Sequence, residues 1–197
     1  MKFKLFGTEI YISFLFCAVI ALMLAFDRTG LVIPTLFAAF IHETGHLFTM
    51  WVVGCEPKAV KLIPASVKII KGFPKKKNGD MIIAVSGPLV NLLLFATLYL
   101  NYFLFGNKVI LNFALLNLVM AVFNMLPVFG LDGGTVLILL LNKKYDIDKS
   151  VFTVKLITFI MSIAAFVLGI YLIFTGTFNI SVFIVGLYLL LCCLMKY

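Results

Sequence analysis

The stretch LVIPTLFAAFIHETGHLFTMWVV, residues 31–53, decides how this chain is read. It is long and apolar enough to cross a bilayer as a helix, yet its middle carries His42, Glu43 and His46. Residues four apart share a helical face, so the two imidazoles can converge on one ion. Glu43 lies one position round from His42, within reach of a water held by that ion. Two imidazole nitrogens with a carboxylate oxygen, and a fourth position left open, suit zinc. These are the only two histidines in the chain, and polar groups inside an apolar span are costly and usually functional. The competing reading is a polar cluster that glues helices together.

The rest of the chain agrees with a membrane setting. Of 197 residues 63% are hydrophobic and 12% charged, and the mean hydropathy is +1.18. Soluble domains are nearer half apolar and a quarter charged. Apolar runs at 10–26, 31–53, 81–105, 109–126, 151–174 and 180–195 predict an all-α membrane protein of about six transmembrane helices in a single domain. The start, Met1-Lys2-Phe3-Lys4, imitates a secretory signal, but no small-residue cleavage site follows, so it leads into the first span. Residues 127–141 are too short to span and open with glycines, which predicts a re-entrant turn and a short helix. Lys58 to Lys71 alternates in places, predicting one or two short strands, with Pro64 favouring an edge or hairpin. An amphipathic loop on anionic lipid headgroups is the alternative there.

The net charge of +8 does not mark a nucleic-acid binder, because no basic patch alternates with exposed aromatics. It marks orientation. With six spans and a cytoplasmic N-terminus, Lys and Arg divide 14 to 2, leaving only Arg28 and Lys108 outside. Both termini are therefore expected in the cytoplasm. Cys17, Cys55, Cys192 and Cys193 have no C-x-x-C spacing and suggest neither disulfides nor a thiolate metal site.

Two histidines need a third ligand. Apart from Glu43, every acidic residue but Asp132 flanks a span or sits in a polar loop. Asp132 lies in Asn124-Met125-Leu126-Pro127-Val128-Phe129-Gly130-Leu131-Asp132-Gly133-Gly134, where proline and glycines let the chain leave a helix. Asp132 is the expected third ligand, against a plain turn or N-cap aspartate. Asn91, Asn117 and Asn124 are further polar sites in the spans. Such amides hold a substrate backbone, stabilise an oxyanion or bond helix to helix; for Asn117 the last is expected. Gly87-Pro88 predicts a kink or opening beside the site.

HETGH at 42–46, SGPLVN at 86–91 and NMLPVFGLDGG at 124–134 together resemble the site-2 protease family of intramembrane metalloproteases, in order and spacing along most of the chain. The resemblance implies a zinc metalloendopeptidase with His42, His46 and Asp132 as ligands and Glu43 as general base. Asn91 and Asn124 would lie near the substrate. The six-span layout is most similar to the branch of stage IV sporulation protein FB, which implies a sigma-factor precursor as the membrane-associated substrate and a membrane-protein inhibitor or regulator. The chain departs from relatives in having no room for a PDZ or CBS domain, in Gly130 where proline is frequent, and in Ile63-Pro64-Ala65-Ser66 where many have proline-phenylalanine-glycine-glycine. A catalytically inactive scaffold of the same fold, binding a partner without cutting it, is the rival; an intact Glu43 argues against it.

Overall fold

The computed structural model describes residues 2–5, 8–63, 66–72, 74–75, 78–175 and 180–194. It divides into two compact units, Met1–Val122 and Phe123–Tyr197. Pro64 and Ala65, between the two expected strands, lie outside the described residues, as do Lys76, Lys77 and Lys196.

The first unit begins with strands where a span was expected to start. Lys2–Leu5 (β1) and Thr8–Ile12 (β2) pair antiparallel, and the first helix, α1, runs only from Phe14 to Ala25. Pro57–Ile63 (β3) and Ser66–Lys71 (β4) form the hairpin read from the alternation. The sheet order is β1-β2-β3-β4, with β2 and β3 parallel. Parallel neighbours need a crossover, and here it consists of α1 and α2, Val32–Val52. The expected helical fold with a small β element after the second helix is thus present in outline, but the element is a four-stranded sheet that also takes residues at the start of the chain. Ile10 and Ile12 pair with Val60 and Leu62 instead of opening the span. Backbone pairing between distant residues took the stretch that hydropathy alone assigned to a helix.

Between α1 and α2 the half-buried Asp27 carboxylate accepts from the N–H groups of Thr29 (2.9 Å), Gly30 (2.9 Å) and Val32 (3.1 Å). These bonds, led by that from Val32, hold its carboxyl below the usual range and fix the entry to α2. The sheet is tied to the helices by a buried cluster of Met50, Val53, Cys55 and Ile83, with Leu47 and Ile69 packed on it. Lys71 at the end of β4 pairs with Asp80 in the first turn of α3, Gly79–Phe105. That helix runs unbroken through Pro88, so the Gly87-Pro88 pair does not interrupt it. Lys108–Asn124 (α4) follows, anchored near its start by the Asn107 side chain accepting from Val109 N–H.

The second unit holds Asp132–Leu141 (α5), Ile147–Phe174 (α6) and Ile180–Leu194 (α7). The expected turn and short helix are present, with α5 ten residues long. Gly169 lets α6 meet Phe183 of α7, and Ser162 donates to Gly186 O at 2.9 Å.

Among the described residues two helices, α3 and α6, are long and apolar enough to cross a membrane. In soluble proteins such helices form the core, yet only 28% and 17% of their most apolar windows are buried here. Phe103 (78% exposed), Phe105 (74%) and Phe174 (86%) crowd their ends. So much uncovered apolar surface calls for lipid and identifies a membrane protein. Of the six expected spans, α1, α4 and α7 are shorter, at 12, 17 and 15 residues, and α2 has 21.

Candidate metal centre

In the first unit the site is built on α2 and α3. Gly45 permits the close approach: a Cβ there would meet Val90 at 3.0 Å and the Ser86 carbonyl at 3.1 Å. On α2, the i and i+4 spacing puts His42 (5% exposed) and His46 (7%) on the buried face, and their Nε2 atoms lie 3.2 Å apart.

The outer nitrogens settle what those two Nε2 atoms are. His46 Nδ1 lies 2.8 Å from Ile83 O, which only accepts, so Nδ1 carries the proton. His42 Nδ1 lies 2.7 Å from Asn91 Oδ1. The Asn91 amide donates to Ala38 O (3.2 Å) and Asn117 Oδ1 (2.9 Å), which turns its oxygen towards His42, so Nδ1 there is the donor. With Nδ1 the protonated nitrogen of each neutral ring, the Nε2 lone pairs point at one place. Two lone pairs repel each other, and a cation between them turns that arrangement into a binding site. Zinc–nitrogen bonds of about 2.0–2.1 Å at a tetrahedral angle put the nitrogens about 3.3 Å apart, which the observed spacing matches.

Gly87 of α3 completes the cradle. A Cβ there would sit 2.7 Å from His42 Nε2 and closer still to His46 Nε2, so only glycine leaves this volume free. Asn91 is wholly buried, with its oxygen and both amide hydrogens engaged within the chain. Its visible action is on His42, not on an open surface. Asn117 bonds between helices as expected, and also donates to Phe113 O at 2.8 Å. Glu43 is half-buried on α2, on the flank next to His42. Ile83 O is a contributor that the sequence reading missed, and Gly87, read there as half of a kink, instead leaves room beside the two rings. Their spacing of four, continued to Asn91, marks one face of α3, though nothing in the spacing names a histidine as the partner.

In the second unit Asp132 is the first residue of α5, and the N-cap position is held by Leu131. Asp132 is therefore not the helix cap that the alternative supposed. It is half-buried, at the helix end where a negative charge is favoured. Gly133 and Gly134 press on the preceding turn: a Cβ on Gly133 would overlap Met125 O, and one on Gly134 would overlap Val128 O. Asn124 is the last residue of α4 and half-buried.

Buried imidazoles with locked outer nitrogens, set in lipid-facing helices, define a metal centre inside a membrane protein. No protein-family model matches the chain. In sequence it is similar to a zinc metalloprotease of Methanocaldococcus jannaschii, 29% identical over 161 residues, which cover 75% of this chain and 47% of that protein. The chain thus spans about half the length of the curated relative it matches. In structure it is similar to the site-2 protease from Methanocaldococcus jannaschii, with a TM-score of 0.75, 25% identity, and coverage of 98% of this chain and 93% of that one. The fold is that of a site-2 protease.

Proposed function

We propose that this protein is an intramembrane zinc metalloprotease of the site-2 type, cutting a peptide bond in a membrane-associated protein. The observation that carries the reading is the pair of Nε2 atoms 3.2 Å apart, each ring locked through its other nitrogen. Asp132 is the third ligand. Two imidazoles and one carboxylate are donor types that suit zinc, and the similarity to a zinc metalloprotease supports zinc.

When bound, zinc supplies Lewis acidity, which polarises a carbonyl and acidifies water. Asn91 and Ile83 O accept from Nδ1 of the two imidazoles and so fix the tautomer and orientation of each ring. Glu43 takes a proton from the attacking water and returns it to the departing amine, so that water adds across the broken C–N bond. Asn91 serves the site by holding His42, and Asn124 lies on the substrate side. A helical substrate hides its carbonyls, so it must unwind. Among the described residues β4 is an edge of the sheet, and its outer side offers an extended peptide main-chain partners.

Six spans follow from the apolar runs, and both termini in the cytoplasm from the lysine distribution over them, the two units acting as one protease domain. A sigma-factor precursor as substrate, and a membrane-protein regulator, follow from the motif resemblance. The test is reconstitution with such a precursor and with unrelated single-span proteins, for wild type and Asp132→Ala. Zinc-dependent cleavage by wild type is expected, with Asp132→Ala losing at least tenfold in zinc affinity, as ligand loss requires. Full zinc affinity in Asp132→Ala would remove it as a ligand. Cleavage of other proteins but not the precursor would remove only the substrate assignment.

A further inference from the structure

We infer that Thr158, in the apolar middle of α6, is a positioning residue for Asp132. This rests on Asp132 being a ligand. The turn before α5 carries Val128 and Phe129, both buried, and Gly130 at φ +96°. Val128 N–H donates to Leu126 O at 2.7 Å, and Leu131 N–H to Val128 O at 3.1 Å. The overlaps that a Cβ would make at Gly133 and Gly134 leave no slack between this turn and the start of α5. Whatever fixes the turn therefore fixes Asp132.

Thr158 is what fixes it. Its hydroxyl is fully buried, donates to Val154 O at 2.8 Å, and accepts from Phe129 N–H at 2.8 Å. The first bond is the ordinary back-bond of a threonine in an apolar helix and alone would mean nothing. The second leaves the helix and takes a main-chain donor three residues before Asp132. Deep in apolar surroundings no water would replace it. One turn earlier, the Lys155 ammonium lies 4.6 Å from the centre of the Phe129 ring, so α6 grips Phe129 through backbone and ring together.

The effect is expected in metal affinity, since residues that orient ligands typically contribute 10–100-fold. Zinc affinity would be measured by chelator competition on purified wild type, Thr158→Val, Thr158→Ala, Thr158→Ser and Asp132→Ala. Thr158→Val should weaken zinc about tenfold or more, and Thr158→Ser should return it to within about threefold of wild type. Should the valine variant not fold, the Ala–Ser pair, which differs only by the hydroxyl, makes the same comparison. A full zinc affinity in Thr158→Val or Thr158→Ala, beside a loss in Asp132→Ala, overturns the role of Thr158. No loss in Asp132→Ala instead overturns the ligand assignment on which it rests.

Discussion

Glu43→Gln is expected to abolish cleavage while zinc content stays at the wild-type level. Glutamine keeps the size of the side chain and its place on α2 next to His42, but it cannot accept a proton at neutral pH. General acid–base groups contribute about 10²–10⁴-fold, and Glu43 is proposed to serve twice, first as base and then as acid. The loss should therefore fall in turnover, with substrate affinity little changed. Zinc-loaded Glu43→Gln that cuts a reconstituted substrate at the wild-type rate would remove Glu43 from the chemistry. It would also revive the idea that this acid merely glues helices together.

The second large effect is expected from the smallest change. Gly87→Ala adds one methyl group where the two Nε2 atoms meet, 2.7 Å from that of His42 and nearer that of His46. A metal needs the same space. The rings can escape only by tilting, which breaks the bonds of His42 to Asn91 and of His46 to Ile83 O. Zinc affinity should drop by at least two orders of magnitude, since both histidine ligands and their supports are disturbed together. The fold should survive, because alanine favours a helix over glycine by about 1 kcal/mol. Thermal unfolding of the metal-free protein, measured with zinc titration, separates the two effects. A Gly87→Ala variant with normal zinc affinity would mean that the ion sits elsewhere.

The chemistry was more legible in the sequence than its support. His42 and His46 are four apart on one helix, so their convergence is local and needs no knowledge of the fold. Asp132 stood out because it is the remaining carboxylate away from polar loops and span ends. What Asn91 does depends on the rotational setting of α3 against α2. That setting comes from close approach at Gly45 and Gly87, and neither helix's own pattern encodes it. The strands at residues 2–12 were missed for a related reason. Lys2-Phe3-Lys4-Leu5 and Thr8-Glu9-Ile10-Tyr11-Ile12 do alternate or favour strands, but their partner β3 lies beyond two helices. Hydropathy windows blend such a strand into the apolar helix that follows.

The central claim is a zinc ion held by two neutral histidines, and zinc-edge X-ray absorption on the purified, metal-loaded protein tests it most directly. The expected first shell is two imidazole nitrogens at about 2.0–2.1 Å with oxygen completing it, reduced to one imidazole in His46→Ala. A shell dominated by sulfur at about 2.3 Å, or one unchanged in His46→Ala, would contradict the account.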